Sequence, residues 1–200
     1  MTADTEAVPD ESSSAPAIVK RASKSPTASL LEWVVVIAVA ITSALLMKAY
    51  LLAQFQVEGT SMLNTLHPGD RVLVNRLSYH LHDPRRGDVV VLHRLEGTSG
   101  ERDLIKRVIA LPGEVVDIRD CMVYIDNRLL EEPYLDPTIA SCTLPNGTTF
   151  PYVVPSGDVF VMGDNRPGSG DSRSFGAIDE DNLVGRAFVV IWPKSDWQWL

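Results

Sequence analysis

The sequence predicts a mainly β domain of antiparallel sheets, or a partly open barrel, behind one N-terminal transmembrane helix. Short runs of β-branched and other apolar residues recur after residue 56, and turn-forming residues bound each run, which is typical of antiparallel strands. No stretch beyond that point keeps a long helical periodicity. The mostly apolar run at residues 30–55, by contrast, is long enough for a membrane-spanning helix.

The N-terminal part divides into a tail and an anchor. Residues 1–29 are rich in Ser, Thr, Ala, Pro and charge, which indicates a disordered tail. Lys and Arg cluster at residues 20–24, just before the anchor, so the N-terminus is predicted to be cytoplasmic and residues 56–200 extracytoplasmic. The alternatives are a buried helix of a soluble protein and a cleaved signal peptide. The lengths of the run and of its leader favour an uncleaved anchor at 30–55.

Several stretches beyond the anchor predict strands. They are Arg71–Val74, Val89–Leu92, Leu104–Leu111, Val115–Ile118, Met122–Ile125, Asp158–Met162 and Ala187–Trp192. Asp126 and Asn127 lie between two runs and favour a hairpin turn. Residues 131–157 are rich in Pro, Thr, Asn and Gly and are interpreted as an insertion between strands.

Charge and cysteine content exclude some classes of function. The formal net charge is -8, which argues against nucleic acid as a partner, because its binders need a basic face. Cys121 and Cys142 fit no zinc signature with the four His, so no metal is predicted. Outside the cytosol the two cysteines could form a disulfide, but their separation in sequence does not decide this. The tryptophans near the C-terminus fit either simple packing or a membrane-interface contact.

Ser61 is the candidate nucleophile. It lies in Val57–Met62, a turn of small residues directly after the predicted anchor. A serine hydroxyl needs a base to attack a carbonyl. The G-x-S-x-G elbow of α/β-hydrolases fails because residue 63 is Leu. His67 precedes Pro68-Gly69-Asp70 and is interpreted as a turn residue, which leaves a Ser-His-Asp arrangement as an alternative.

Lys106 is the candidate base. In a strand over 104–111 it shares a face with Leu104, Val108 and Ala110, whereas Arg107 points the other way. Apolar neighbours favour the neutral amine and lower its pKa, as a base at neutral pH requires. The alternative interpretation is an edge-strand lysine that discourages aggregation.

A polar loop at residues 163–173 is the third candidate element. A calcium loop is excluded because Arg166 interrupts the required order of Asp and Asn. Its carboxylate, amide and guanidinium groups instead suit an internally paired loop beneath an active site.

Taken together, these stretches resemble the type I signal peptidases, the membrane-anchored serine proteases that remove signal peptides from exported proteins. The matching stretches are Val57–Met62 with Leu66–Asp70, Arg86–Val91, Ile105–Gly113, and Gly163–Arg173 with Gly176. With the span, the resemblance covers residues 30–192, apart from the 131–157 insertion. It implies the family's β fold, Ser61 as the acylated nucleophile, Lys106 as the general base and Ser169 as the residue that orients the lysine amine.

The resemblance also implies supporting roles. Asp171 and Arg173 match a paired support beneath the site, and Asp164, Asn165 and Arg166 match structural positions of the loop. Met62 is implied to help form the substrate groove.

The oxyanion site departs from part of the family. The backbone N–H of Ser61 supplies one donor. Some members carry a serine two residues before the nucleophile, and here that residue is Gly59, as in the Gram-positive branch, so the second donor is unknown.

The implied substrates are secretory preproteins cut after A-x-A-like sites, at a bacterial cytoplasmic membrane, next to lipid and without a cofactor or metal. Two alternatives remain open at this point. One is a non-catalytic, membrane-tethered β domain that binds extended peptides. The other is a self-cleaving Ser-Lys protease.

Overall fold

The computed structural model describes residues 26–95, 101–136 and 147–200. The chain divides into two compact units, one that ends at Thr42 and one from Ser43 to Leu200. Most of the predicted disordered tail, residues 1–25, lies outside the described residues.

The first helix, α1, spans Pro26–Tyr50. It starts four residues before the predicted anchor, and proline is favoured in the first helical turn because its missing N–H has no partner there. Within the part of the chain that the structure describes, no helix is long and apolar enough to cross a membrane.

The predicted anchor continues to Phe55, but the helix ends at Tyr50 and strand β1 (Leu52–Gln56) follows. In β1, more exposed and less exposed residues alternate, with Gln54 and Gln56 exposed and Ala53 and Phe55 less so. This period of two is that of a strand, and all five residues of β1 pair with strand β2 (Arg71–Asn75).

The remaining elements are mostly strands. They are β1 (Leu52–Gln56), β2 (Arg71–Asn75), β3 (Val89–Leu95), β4 (Glu101–Ala110), β5 (Val115–Arg119), β6 (Met122–Ile125), β7 (Arg128–Leu129), β8 (Tyr152–Val153), β9 (Asp158–Met162), β10 (Ile178–Asp179), β11 (Leu183–Trp192) and β12 (Gln198–Trp199). Among the described residues, the short helices α2 (Ser78–Leu81) and α3 (Ser172–Phe175) and 3₁₀ turns at Arg166–Gly168, Glu180–Asn182 and Lys194–Asp196 join them. Each predicted strand corresponds to an observed one.

The described strands form two antiparallel sheets, which confirms the mainly β, antiparallel part of the predicted fold class. The larger has the order β1-β2-β11-β3-β4-β9-β10, with β12 paired to β11. The smaller has the order β7-β6-β5-β8. Strand β4 lies inside the larger sheet, between β3 and β9, and its residues Val108, Ile109 and Ala110 are almost completely buried.

The 131–157 stretch, interpreted as an insertion, adds to the smaller sheet. Strand β8 within it pairs with β5, and Val154 is buried. The Tyr152 ring lies 5.5 Å from that of Phe160 in β9, between ring centroids. This aromatic contact joins the insertion to the larger sheet.

Two features left open by the sequence can now be described. Cys121 is disulfide-bonded, while Cys142 lies outside the described residues. Trp192, Trp197 and Trp199 are each more than half exposed, so simple core packing does not account for them.

Candidate active site

Ser61 is held by a turn that is pinned at both ends. The Val57 N–H donates to the Asp70 carbonyl at 2.8 Å, and the Gly69 N–H donates to the Val57 carbonyl at 2.7 Å. Met62 and Leu66, on the same turn, are completely buried in the core beneath β2 and β11. The buried side chains of Met62 and Leu66 fix the position of the turn, while Ser61 itself stays partly exposed.

Lys106 meets Ser61 from the central strand β4. Its Nζ donates to Ser61 Oγ at 2.7 Å and to the Ile105 carbonyl at 3.1 Å. Only 2% of Lys106 is exposed, and β4 has a neighbour on both sides, so Lys106 is not the edge-strand lysine of the alternative interpretation.

Burial sets the protonation of this lysine. Desolvation lowers the pKa of Lys106 to about 8 by penalising the ammonium form. The nearby Asp171 and Asp164 carboxylates act against this effect, and the Arg173 guanidinium adds to it. An amine with this pKa is substantially neutral at mildly alkaline pH and can accept a proton.

The histidines have other partners. His93 pairs with Asp103 at 2.5 Å, and His80 and His82 contact the backbone oxygens of Arg76 and Asp83. His67 is exposed, and its backbone N–H donates to Asp70. In the described chain no hydrogen bond joins a histidine to Ser61, so the geometry favours Ser61 with Lys106 over a Ser-His-Asp arrangement.

Asp164 binds the arginine next to the base. The Arg107 guanidinium donates from Nε and Nη2 to the two Asp164 carboxylate oxygens, at 2.9 and 2.7 Å. Arg107 Nη1 also donates to the Gly87 carbonyl, and the Thr65 hydroxyl donates to Asp164. A bidentate, buried pair of this kind fixes both side chains in one geometry.

Asn165 contacts the nucleophile turn directly. Its backbone N–H donates to the Ser61 carbonyl at 2.9 Å, and its side-chain Nδ2 donates to the Thr60 carbonyl at 3.0 Å. These two hydrogen bonds join the polar loop at residues 163–173 to the backbone of Thr60 and Ser61.

Asp171 and Arg173 form the buried pair that the resemblance implies. Arg173 donates from Nε and Nη2 to the two carboxylate oxygens of Asp171, at 2.8 and 2.9 Å. Asp171 is 0% and Arg173 1% exposed. Asp171 also accepts the Gly163 N–H at 3.0 Å, which joins this pair to the end of β9.

Ser169 lies beside the same glycine. A Cβ built on Gly163 would collide with both Ser169 Oγ and the Ser61 carbonyl, so these atoms converge on one point. Within the described part of the chain, Ser169 Oγ is buried and has no hydrogen-bond partner. A buried hydroxyl without a partner costs free energy and is available to a nearby donor or acceptor.

Replacing Gly163 with alanine is expected to lower both catalysis and stability. The added methyl group meets the Ser61 carbonyl, a backbone atom that moves only if the nucleophile turn moves. Overpacking of this kind costs about 1–3 kcal/mol in stability. We expect a loss of kcat by a factor of roughly 10² or more, because small displacements of reacting groups are costly. Measured kcat and Tm check this, with Gly170→Ala as control, since a Cβ there meets nothing. Equal effects at the two glycines contradict the expectation.

An open cavity of about 690 Å³ adjoins the Ser61–Lys106 pair. Its apolar lining consists of Phe55, Val57, Val72, Val91, Leu104 and Ile105. Gly59 also lines it, so no side chain reaches the cavity from the second residue before Ser61. Gln54, Gln56, Glu58 and Asp103 also line it, so apolar and polar groups share its wall. An extended chain with small side chains fits an open groove of this kind.

The structure places Met62 away from this cavity. Its side chain is 0% exposed and is not part of the lining. Met62 packs against the buried core residues under the nucleophile turn, so the predicted role in the substrate groove is wrong.

Glu132 and Tyr134 have no counterpart in the sequence interpretation, although both contact arginines of the site. Glu132 accepts hydrogen bonds from Arg166, and the Tyr134 ring lies 4.0 Å from Arg107 Cζ. The only sequence signal was a pair of adjacent acidic residues before Pro133 within an apparent insertion.

One group has the geometry of metal ligands. Ligand atoms of His67, Asp70 and Asp196 lie within 4.8 Å of one another. Asp70 is buried and already accepts the His67 backbone N–H, and His67 is exposed. We assign no metal to them.

Known proteins similar to this chain were found by sequence and by structure. The family model described as "Signal peptidase, peptidase S26" matches residues 30–192. A probable signal peptidase I-1 of Synechocystis is 37% identical over 179 residues, 86% of this chain and 88% of its own. A signal peptidase IB of Staphylococcus aureus is 35% identical over 182 residues, 85% of this chain and 93% of its own. A crystal structure of a signal peptidase I from Enterococcus faecalis is 33% identical, with a TM-score of 0.42, and the match covers 52% of this chain and 97% of that one.

Proposed function

The chain belongs to the signal peptidase family, peptidase S26, whose members are serine peptidases, and we propose that it removes signal peptides from secretory preproteins with a Ser61–Lys106 dyad. The observation that carries this proposal is the 2.7 Å hydrogen bond between Lys106 Nζ and Ser61 Oγ. A nucleophile and a desolvated base in direct contact are the minimal machinery for acyl transfer.

In the first step the neutral Lys106 amine takes the Ser61 proton as Oγ attacks the scissile carbonyl carbon. The Ser61 backbone N–H donates to the oxyanion that forms. The Lys106 ammonium then protonates the leaving amine, and the signal peptide remains as an acyl ester on Ser61. In the second half Lys106 takes a proton from water, the hydroxide attacks the ester, and Ser61 regains its proton.

The loop residues have supporting roles in this proposal. Ser169, whose buried hydroxyl lacks a partner among the described residues, orients the Lys106 amine. Asp171 with Arg173, and Asp164 with Arg107, hold the loop and the base strand in place. Asn165 holds the carbonyls of Thr60 and Ser61, which aims the nucleophile into the cavity.

The substrate lies extended across the cavity beside Ser61. The apolar residues in the cavity wall contact the small side chains of an A-x-A-like site. An extended peptide at a sheet edge also gains main-chain hydrogen bonds.

The catalytic domain works on the outer side of the bacterial cytoplasmic membrane. The apolar run that begins near residue 30 serves as a single-pass anchor with its N-terminus in the cytoplasm, supported by the basic cluster before it. Anchoring places the active site next to the lipid in which signal peptides are embedded.

The test is cleavage of a preprotein by the purified full chain in detergent, with the cut site read by mass spectrometry. Wild type is expected to cut after an A-x-A-like site, and Ser61→Ala to leave the preprotein intact while keeping its Tm. Binding without turnover by wild type would indicate the non-catalytic peptide-binding domain instead. Cleavage confined to the chain itself would indicate a self-cleaving protease.

A further inference from the structure

Two arginines flank the active site from behind, and both contact one short segment of the chain. Arg107 follows the base on β4, and Arg166 begins the 3₁₀ turn that leads to Ser169. Both are more than nine-tenths buried, at 7% and 8% exposed. Buried guanidinium groups need partners, because the charge is costly to desolvate.

Glu132 supplies the partner of Arg166. Its carboxylate accepts from Arg166 Nη1 at 3.0 Å and also from Nη2, and its side chain is only 8% exposed. Arg166 Nε in turn donates to the Gly163 carbonyl at 3.2 Å. Gly163 is the residue on which the Ser61 carbonyl and Ser169 Oγ converge, so two residues, Arg166 and Gly163, connect Glu132 to the nucleophile.

Tyr134 covers the other arginine. Its ring lies 4.0 Å from Arg107 Cζ, within the range of a cation–π contact. The same guanidinium holds Asp164 through two hydrogen bonds. The Tyr134 hydroxyl donates to Glu132 at 2.8 Å, which joins the two contacts into one unit.

We propose that Glu132 and Tyr134 are positioning residues for the reaction, a brace that fixes Arg166 and Arg107 and through them the Ser61–Lys106 pair. The proposal rests on the peptidase function proposed above. It assigns a catalytic contribution to a segment that the sequence marks only as an insertion after β7. The brace touches no substrate atom and acts through the two arginines.

The brace also affects the electrostatics of the base. The Asp164 carboxylate raises the pKa of Lys106, and Asp164 lies near both Arg107 and Arg166. Without the Glu132 charge, the buried Arg166 guanidinium is left uncompensated behind the site, and net positive charge there disfavours the Lys106 ammonium. The pKa of Lys106 is then expected to fall.

The experiment compares Glu132→Gln with Glu131→Gln in the detergent-solubilised full chain, using preprotein cleavage from about pH 6 to 10. Glu131 is the exposed neighbour of Glu132 and gives a matched control for the same change. Glu132→Gln is expected to lower kcat about tenfold or more, leave KM within about twofold, and move the acid limb of the pH profile to lower pH. Glu131→Gln is expected to match wild type in all three.

Tyrosine variants separate the ring from the hydroxyl. Tyr134→Phe keeps the ring over Arg107 and loses the hydrogen bond to Glu132, whereas Tyr134→Leu loses both contacts. Tyr134→Leu is therefore expected to lower kcat more than Tyr134→Phe does, at unchanged KM. If Glu132→Gln does not fold, this pair of variants decides the question.

The brace is overturned if Glu132→Gln, folded by circular dichroism, keeps the wild-type kcat and pH profile, or if Tyr134→Leu matches Tyr134→Phe. A purely structural role lowers Tm without moving the pH profile, and that result also overturns it. If wild type itself cleaves no preprotein, the peptidase proposal fails instead.

Discussion

Replacing Lys106 with methionine is expected to abolish preprotein cleavage and, at neutral pH, to stabilise the fold. The loss of activity follows from the 2.7 Å contact with Ser61, because methionine cannot take the serine proton. Removing one member of a nucleophile–base unit typically lowers kcat by a factor on the order of 10⁴ or more. Methionine matches the length of the lysine stem and suits a site that is 2% exposed.

The gain in stability follows from the lowered pKa. Lys106 has a pKa of about 8 in the folded protein, against 10.5 for an ordinary lysine. The unfolded chain therefore binds the proton more tightly, so Lys106 destabilises the fold below pH 8, and this cost fades as pH rises from about 8 to 10.5. The difference corresponds to at most about 3 kcal/mol at pH 7.

Denaturant unfolding of wild type and Lys106→Met at neutral and alkaline pH measures this effect. We expect the variant to have the higher free energy of unfolding at pH near 7, and the two proteins to converge at about pH 10.5. Lys194→Met, at an exposed position, is the control and should show no such dependence. If Lys106→Met is less stable than wild type at neutral pH, burial does not destabilise the charged form of Lys106 in the folded protein.

The pH dependence of the wild-type enzyme follows from the same group. Only the neutral amine accepts the Ser61 proton, so kcat/KM should rise with pH and reach half its plateau near pH 8. A steady-state pH profile measures this midpoint. A profile that is flat from about pH 6 to 9 is incompatible with Lys106 as the base.

Local patterns were enough to predict the strands and the chemistry of their residues. Alternation with a period of two placed Lys106 on an apolar face, and it lies buried in β4 as that alternation requires. The prediction is wrong at the start of the domain, because residues 52–55, assigned from the sequence to the anchor helix, lie in β1. The apolar composition of residues 52–55 suits a helix or a strand, and pairing with β2 decides for the strand.

The rest of the site depends on contacts between distant residues, which no local pattern encodes. Glu132 lies 34 residues before Arg166, and Asp164 lies 57 residues after Arg107. Met62 shows the same limit, because a turn residue beside a nucleophile can face the groove or the core. Only packing against Leu66 and the strands behind it sends this side chain inward.

Replacing Asp171 with asparagine is expected to lower the free energy of unfolding by about 3–5 kcal/mol, the usual cost of removing one partner of a buried ion pair. Asparagine keeps the size of the side chain and one oxygen for the Gly163 N–H. It removes the charge that balances the Arg173 guanidinium, and the Arg173 side chain is only 2% exposed. An uncompensated cation would then remain beneath the active site.

Asp117 provides a control with the same spacing. It pairs with Arg119 two residues later, Nε to Oδ2 at 2.6 Å, as Asp171 pairs with Arg173. The Arg119 side chain is 50% exposed, so Asp117→Asn should cost only about 0–1 kcal/mol.

Urea denaturation of both variants at one pH compares the pairs directly. Equal losses would mean that burial of the charges does not determine the contribution of the pair. A large loss confined to Asp171→Asn would identify the buried charge pair as what holds the Ser169 loop against Gly163, and thereby against the nucleophile.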